Sequence, residues 1–352
     1  MPVISRAEDR GESIAEMEPL LIGETSRFRG PLTDLAVELV QKSARFRGSL
    51  PESLLTSLAD FVRAMNCYYS NLIEGHYTHP IDIERAKKSD YSKDVGKRNL
   101  QFEAKAHIEV QKWIDEGGLN GRATTAEGIC EIHRRFCELR VRVVPGELRM
   151  RDVKVGRHVP ISPGAVPRFL KRFSEVYERL GKMDSILAAA PAHHRLTWIH
   201  PFWDGNGRIA RFVSHATFLE ALDTGAIWSV ARGLARIEVG NYKEHLAASD
   251  VPRRNDLDGR GNLSEEALAA FTEFFLKVCI DQVNFMEKLM QPQELRGRIL
   301  SWADEEIKLK NLPPNSGRVL EALLYRGGEM PRGEVDIATG TSGVVRSASS
   351  QH

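Results

Sequence analysis

One short run of the sequence concentrates side chains that can carry out chemistry. The run IHPFWDGNGRIARF, residues 199–212, places His200 before a glycine-containing loop, with Arg208 and Arg211 after that loop. Apolar residues return at Ile209, so we expect the loop to lead directly into a helix. A helix start presents unpaired backbone N–H groups, and glycines let the backbone approach a ligand closely. This arrangement predicts a cradle for an anion.

The charged residues of the run specify which anion is expected. Arg208 and Arg211 are three positions apart, so they share one helix face and can both reach a polyphosphate. Asp204 would repel a bare phosphate, which predicts a divalent cation between them, because Mg²⁺ takes a carboxylate together with phosphate oxygens. His200 is the one group of the run that can accept a proton near neutral pH. Taken singly, each residue also suits a helix cap, a turn or a surface charge, but together they favour phosphoryl or nucleotidyl transfer. A Walker-type site is excluded because GxxxxGK[ST] does not occur.

The same residues carry a family resemblance. Residues 200–211, HPFWDGNGRIAR, resemble the signature HPFx[DE]GNGRxxR of the Fic family at every fixed position. Enzymes of that family typically transfer AMP from ATP to a hydroxyl side chain of a target protein. The resemblance extends to His133, to PGELR at 145–149 and to Tyr242 in NYKEHL, and it covers about residues 50–290.

The resemblance implies a role for each matching position. His200 would take the proton of the target hydroxyl, and Asp204 would hold Mg²⁺ or Mn²⁺ on the α- and β-phosphates of ATP. Arg208 would bind the β-phosphate and Arg211 the γ-phosphate, whereas Tyr242 would lie near the adenine. The residues implied to bind the phosphates are Gly205, Asn206, Gly207, Arg208 and Arg211.

A second segment departs from helical spacing. In ELRMRDVKVGRHVP, residues 147–160, valines alternate with other residues around a glycine, which predicts a short two-stranded β-hairpin. The resemblance implies that this hairpin is a flap on which an extended segment of the target docks by strand addition. The flap residues are Val153, Lys154, Val155, Gly156, Arg157, His158 and Val159.

An upstream helix, predicted at about residues 52–75, ends in SNLIEG at 70–75. Ser70 and Glu74 are four positions apart and share one helix face, and Gly75 supplies the cap. A carboxylate at the negative end of the helix dipole is expected to find a cationic partner. SNLIEG resembles the inhibitory motif [ST]xxxE[GN] of Fic proteins whose inhibitory helix precedes the core. The resemblance implies that Glu74 pairs with Arg211 and blocks productive binding of ATP; the alternative is an ordinary surface glutamate.

Apolar spacing is helical almost throughout, which predicts an all-α fold with the one β-hairpin. We expect an N-terminal helical region at 1–100, a catalytic core at 101–290 and a small helical extension at 291–352. Residues 84–98 mix both charge signs and predict a solvated connection. Residues 317–352 resemble the start of a winged helix-turn-helix. They contain four arginines and four acidic residues, so their charges cancel, and a protein contact is as well supported as DNA binding.

Composition limits the classes of protein to which the chain can belong. The chain has 352 residues, 42% of them hydrophobic, and 49 Lys+Arg against 48 Asp+Glu, which excludes a generally basic nucleic-acid coat. No long apolar stretch and no signal peptide are evident, so we expect a cytoplasmic protein. Its four cysteines, which form no CxxC pair, are expected to be reduced thiols.

Three functions follow from the sequence. The leading one is an autoinhibited protein adenylyltransferase whose partners are ATP and a target protein with a Tyr, Ser or Thr hydroxyl. The second keeps the fold but transfers a phosphate or a phosphocholine. The third is a non-catalytic regulator that binds DNA or protein. A homodimer is plausible by resemblance, although no sequence feature demands it.

Overall fold

The structure, a computed structural model, describes residues 7–138, 143–236, 239–325 and 330–339. Across these ranges it is built from α-helices joined by short 3₁₀ turns and loops, and no β-sheet forms. The all-α fold class predicted from the sequence is therefore confirmed. The helices are α1 Arg29–Gly48, α2 Glu52–Ile73, α3 Pro80–Lys87, α4 Val95–Asp115, α5 Ala126–Cys137, α6 Val166–Tyr177, α7 Lys182–Ile199, α8 Asn206–Leu222, α9 Ala231–Arg236, α10 Val239–Ala248, α11 Glu265–Leu289, α12 Pro292–Lys308, α13 Ser316–Tyr325 and α14 Val335–Thr339.

Two local expectations need correction. Residues 84–98 were expected to form a solvated connection, yet α3 ends at Lys87 and α4 already begins at Val95. Asp94 starts α4, because its side chain accepts a hydrogen bond from the Lys97 backbone N–H at 2.8 Å. The expected hairpin is reduced to a single antiparallel bridge between Val155 and His158 around Gly156, whose φ is +59°. Charge mixing thus hid a capped helix start, and valine alternation overstated the strand length.

The core that supports the site is centred on α7 and α8, which pack against each other. Small buried residues of α7, Ala188 and Ala192, let the two helices approach closely. From α8, Ile209, Phe212 and Val213 face the same core as the apolar side of α5 and α6. The start of α8 is consequently held in place from within the fold.

The chain divides into two compact units. The first comprises residues 1–50 and 54–284, and the second comprises residues 51–53 and 285–352. The division into 1–100, 101–290 and 291–352 stays a prediction. In the second unit α12 packs against α13 and α13 against α14. The winged-helix resemblance also stays a prediction, because residues 326–329 and 340–352 lie outside the described residues.

No helix in the described part of the chain is both long enough and apolar enough to cross a membrane.

A buried ionic network joins α2, α4 and α8 within the first unit. Asp115 accepts hydrogen bonds from Arg63 Nε at 2.7 Å and from His215 Nε2 at 2.6 Å. The Asp115 side chain is only 3% exposed and Arg63 8%. Arg63 also pairs with Asp60, which is exposed. Helix α2, which ends one residue before Glu74, is therefore fixed to the rest of the unit through Asp115.

We expect Asp115→Ala to lower the free energy of unfolding by about 3 kcal/mol, because it leaves the Arg63 guanidinium buried without its main partner. Urea denaturation followed by circular dichroism measures this. Asp60→Ala removes an exposed partner of the same arginine and should cost less than about 1 kcal/mol. Equal losses for the two variants would contradict the role given to Asp115.

Candidate active site

The loop between α7 and α8 is shaped by two residues with left-handed backbone. His200, at the end of α7, has φ +51°, and Gly205, just before α8, has φ +88°. Asn206 closes the loop: its Oδ1 accepts from the Phe202 N–H, and its Nδ2 donates to the Phe202 carbonyl, both at 2.9 Å. Both polar groups of the Asn206 side chain are thus engaged in holding the loop. That Asn206 and the neighbouring backbone N–H groups bind phosphate stays a prediction.

His200 is set up as a neutral base. Its Nδ1–H donates to the Thr197 carbonyl at 3.2 Å, which leaves Nε2 as the basic nitrogen. Burial, helped by the nearby positive charge of Arg149, lowers the pKa of His200 to about 4. The ring is therefore uncharged at neutral pH, as a group that accepts a proton must be.

Two residues, Arg149 and His133, hold the backbone of this loop through contacts that the sequence did not reveal. Arg149 Nε donates to the His200 carbonyl at 2.7 Å, and its Nη2 donates to the carbonyl of Ile161. His133 accepts from the Gly146 N–H at 2.9 Å, and its other ring nitrogen lies 3.3 Å from the Asp204 carbonyl oxygen. The His133 ring also stacks on Phe202 with centroids 3.8 Å apart. Both side chains fix the loop backbone and leave the His200 ring and the Asp204 carboxylate to other contacts.

A cavity of about 560 Å³ opens in front of the loop. His200, Trp203 and Asp204 line one side of it, and the predicted flap lines the other. Most of the flap is exposed, with Val155 at 42% and Val159 at 64%. The lining residues are Val143, Asp152, Val153, Lys154, Val155, His200, Trp203 and Asp204. The structure thus brings the predicted flap and the predicted base together around one space.

Glu74 and Arg211 form a short ion pair, as the sequence predicts. Glu74 Oε1 lies 2.6 Å from Arg211 Nη2, and Arg211 Nε donates to Ser70 Oγ at 2.9 Å. A Cβ on residue 207 would lie 2.6 Å from Glu74 Oε1, so Gly207 is what lets the carboxylate reach the start of α8. The Arg211 side chain is 4% exposed and that of Glu74 30%. The buried guanidinium consequently holds a carboxylate that solvent can still reach.

Arg208 has a partner that the sequence did not reveal. Its Nη1 donates to Oε1 of Glu103 on α4, and its Nη2 lies 3.4 Å from Asp204 Oδ1. His76 Nδ1 lies 2.8 Å from the same Glu103 oxygen. Glu103 is one of several charged residues in a helix of ordinary amphipathic pattern, and no motif distinguishes it. Only the packing of α4 beside α8 brings it to the site.

Tyr242, the residue predicted to lie near an adenine, is enclosed in the structure. It is 3% exposed, and its hydroxyl is 2.7 Å from His193 Nε2. Burial raises the pKa of Tyr242 to about 12. The ring therefore packs inside the fold near Arg211. Contact with an adenine would require the ring to become exposed.

Asp204 is the residue best suited to bind a metal ion. Its side chain is 42% exposed and lines the cavity. No group of three or more metal-binding side chains occurs among the described residues, so protein ligands there do not form a complete cage. A single accessible carboxylate fits an ion such as Mg²⁺ that takes its other ligands from water and phosphate oxygens.

Comparison with solved structures identifies the fold. Solved structures with this fold include a Fic family protein from Desulfovibrio desulfuricans G20, which has a TM-score of 0.58 at 16% identity and covers 92% of this chain and 87% of that one. Fic-1 (residues 134–508) from C. elegans aligns with a TM-score of 0.58 at 18% identity over 74% of this chain and 73% of its own. The fold is therefore the Fic fold.

The sequence comparison identifies the domain. Residues 123–218 match the Fic/DOC family, so the chain contains a Fic domain, and the family resemblance of the signature is confirmed. Relatives named Protein adenylyltransferase Fic include one from Nematostella vectensis, 32% identical over 49% of this chain, and one from Drosophila ananassae, 35% identical over 32% of it. The chain matches 41% and 23% of the length of those two relatives.

The Glu74–Arg211 pair should make stability depend on pH in a defined direction. Burial raises the pKa of Glu74, but the charges of Arg211 and Arg208 outweigh it, so the pKa lies below the ordinary value of 4.5. A carboxylate with a lowered pKa stabilises the fold fully above its unfolded pKa and loses this contribution as the pH falls through its folded pKa. We expect Glu74→Gln to be less stable than the unaltered chain by a constant amount above about pH 5, with the difference shrinking at lower pH.

Urea unfolding at a series of pH values measures this difference. Glu109→Gln, at an exposed position of α4, is the control. A difference between the Glu74 variant and the unaltered chain that widens toward acid pH would refute the assignment.

Proposed function

We propose that the protein is an adenylyltransferase that transfers AMP from ATP to a hydroxyl side chain of a target protein, and that Glu74 inhibits it. The observation that carries the proposal is the start of α8, where two buried guanidiniums, Arg208 and Arg211, hold carboxylates beside a neutral His200. Buried arginines at a helix N-terminus suit a polyphosphate. The names of the relatives support the same reaction.

The residues divide the chemistry between them. The target hydroxyl oxygen attacks the α-phosphorus of ATP, and His200 Nε2 accepts the hydroxyl proton. The bond from the α-phosphorus to the oxygen bridging to the β-phosphate breaks, and diphosphate leaves with that electron pair. Arg208 and Arg211 stabilise the charge that builds up on the leaving group. Backbone N–H groups at the start of α8 orient the α-phosphate.

A divalent cation fits this scheme at Asp204. The carboxylate would hold Mg²⁺ or Mn²⁺ at the cavity, where the ion would neutralise phosphate charge when bound. The Gly205 N–H donates to Asp204 Oδ1 at 2.6 Å, and this contact orients the carboxylate toward the helix start. ATP and the ion would thus bind on the same side of the loop, between Asp204 and the start of α8.

Inhibition follows from charge competition at one guanidinium. Glu74 Oε1 sits on Arg211, where the γ-phosphate of ATP would otherwise bind, and a carboxylate there repels the triphosphate. Glu74 is near the end of α2 and is followed by Gly75 with φ +79°. A carboxylate at a helix terminus can be withdrawn without breaking the rest of the helix. Release would then allow productive binding.

The flap supports docking of a target segment. In its one bridge Val155 and His158 bond each other, and a target segment would add as a strand beside this pair. Trp203, 55% exposed, lines the same cavity as Val155. An extended peptide between them would bring its hydroxyl toward His200. A homodimer and DNA binding by residues 291–352 stay predictions.

Two other functions are less well supported. Transfer of a phosphate or a phosphocholine would release no diphosphate. Arg208 and Arg211 would then lack the leaving group that they are suited to bind. A non-catalytic regulator would have no use for a histidine whose burial keeps it neutral beside the cavity. Both alternatives are separable by the mass of the adduct formed.

We expect Glu74→Gly to raise AMP transfer by about tenfold or more, because Arg211 loses a charge-assisted partner and can bind the triphosphate. The measurement is mass spectrometry of the protein, and of added candidate targets, after incubation with ATP and Mg²⁺. Glu116→Gly is a matched control, since Glu116 also precedes a glycine of positive φ at a helix end but lies at an exposed position.

An AMP adduct that forms equally in the unaltered chain and Glu74→Gly would refute inhibition by Glu74. An added phosphate or phosphocholine would refute AMP transfer. No adduct in Glu74→Gly would favour the non-catalytic regulator. His200→Ala combined with Glu74→Gly should abolish transfer.

The pH dependence of transfer should reflect His200. Burial places its pKa at about 4, so the ring is neutral and active above that value and becomes protonated below it. We expect the rate of AMP transfer by Glu74→Gly to be nearly independent of pH between about 6 and 8. The rate should fall only as the pH approaches about 4, in a range from about pH 4 to 8. Single-turnover rates across this range measure it. A rate that already halves near pH 6.5 would contradict the lowered pKa.

A further inference from the structure

Both signature arginines of α8 have a carboxylate partner, and the two partners differ in mobility. Glu74 is near the end of α2 and is 30% exposed, whereas Glu103 lies in the middle of α4 and is 6% exposed. A side chain at a helix terminus can move away with its turn, but one in the middle of a buried helix cannot. Glu103 is therefore a permanent partner of Arg208, in contrast to the releasable Glu74.

The contacts of Glu103 fix the orientation of Arg208. Glu103 Oε1 accepts from Nη1, Asp204 Oδ1 lies 3.4 Å from Nη2, and the Phe136 ring lies under the guanidinium at 5.1 Å from its carbon. The Arg208 side chain is 2% exposed, and its Nε has no hydrogen-bond partner within the described residues. The planar group is thus held by one buried carboxylate, by one carboxylate at the cavity and by one aromatic face.

We infer that Glu103 is a positioning residue that orients Arg208 for the phosphates beyond the α-phosphate of ATP. The inference rests on the proposed function. An unsupported arginine would have to be ordered whenever ATP binds, at a cost in side-chain entropy. Glu103 orders the Arg208 guanidinium in the folded protein before ATP binds. The loss of side-chain entropy therefore accompanies folding and does not weaken ATP binding. Because Arg208 meets only the outer phosphates, loss of Glu103 weakens ATP binding and leaves AMP binding intact.

The contact with His76 ties the same carboxylate to the inhibitory turn. His76 follows Glu74 by two residues, and its Nδ1 lies 2.8 Å from Glu103 Oε1 and 3.3 Å from Arg208 Nη1. Any effect of Glu103 must therefore be separated from an effect on Glu74. A Glu74→Gly parent removes the inhibitory carboxylate and isolates the action of Glu103 on Arg208.

The test compares ligand affinities in that parent by isothermal titration calorimetry with Mg²⁺, using ATP and AMP. We expect Glu103→Gln to weaken ATP binding about tenfold, the size of one lost charge-assisted contact, with AMP binding unchanged. Glu109→Gln, at an exposed position of the same helix, should change neither affinity. In an Arg208→Gln background, Glu103→Gln should have no further effect on ATP, because it acts through Arg208.

Each other outcome has a distinct meaning. Unchanged ATP affinity in Glu103→Gln overturns the positioning role, and so does an equal loss of ATP and AMP binding, which indicates a general structural effect. If Glu103→Gln gives no folded protein, Glu103→Asp, which keeps the charge but withdraws it by one methylene, must show the ATP-specific loss. A parent that binds ATP but transfers no AMP refutes the proposed function alone, and a parent that binds no ATP refutes both.

Discussion

Two guanidiniums are buried at the N-terminus of one helix, and the arrangement around the site depends on neutralising them. The N-terminal end of a helix is its positive end, so Arg208 and Arg211 sit where cations are least stable. Both side chains are almost fully buried. Anions must therefore be supplied nearby, because an unpaired buried charge costs several kcal/mol. The protein supplies Glu74 from the turn after α2 and Glu103 from α4.

That requirement explains why helices outside the 123–218 match take part in the site. The match begins after α4, yet the carboxylates come from the turn after α2 and from α4. Asp115 holds α2 and α4 to α8 through Arg63 and His215. This network fixes the helix after which Glu74 lies, 2.6 Å from Arg211. The contact between Glu74 and Arg211 thus depends on how three helices pack as much as on the glutamate itself.

Glycines set the close approaches that charge alone could not achieve. Gly207 leaves room for the Glu74 carboxylate at the start of α8, and Gly205 supplies the left-handed turn before it. His200 adopts a left-handed backbone without being a glycine, and Arg149 bonds its carbonyl. Strained backbone of this kind persists only when surrounding contacts determine it. The loop is therefore rigid where the proton and the phosphates would be handled.

The sequence by itself determined the helical class and the signature residues, because each depends on local spacing or on a short motif. The pairing of Glu74 with Arg211 was implied only by the resemblance of SNLIEG to a family motif, and the packed structure shows the contact. The sequence misjudged residues 84–98, where mixed charge concealed a capped helix start, and it overstated the hairpin at 147–160. It predicted Tyr242 near an adenine, which stays a prediction, and the structure shows that ring buried with its hydroxyl bonded to His193. Only the tertiary structure decided that Glu103 meets Arg208, that Asn206 shapes the loop and that burial keeps His200 neutral. Those properties arise between residues distant in sequence, and desolvation and ion pairing depend on what surrounds a side chain in space.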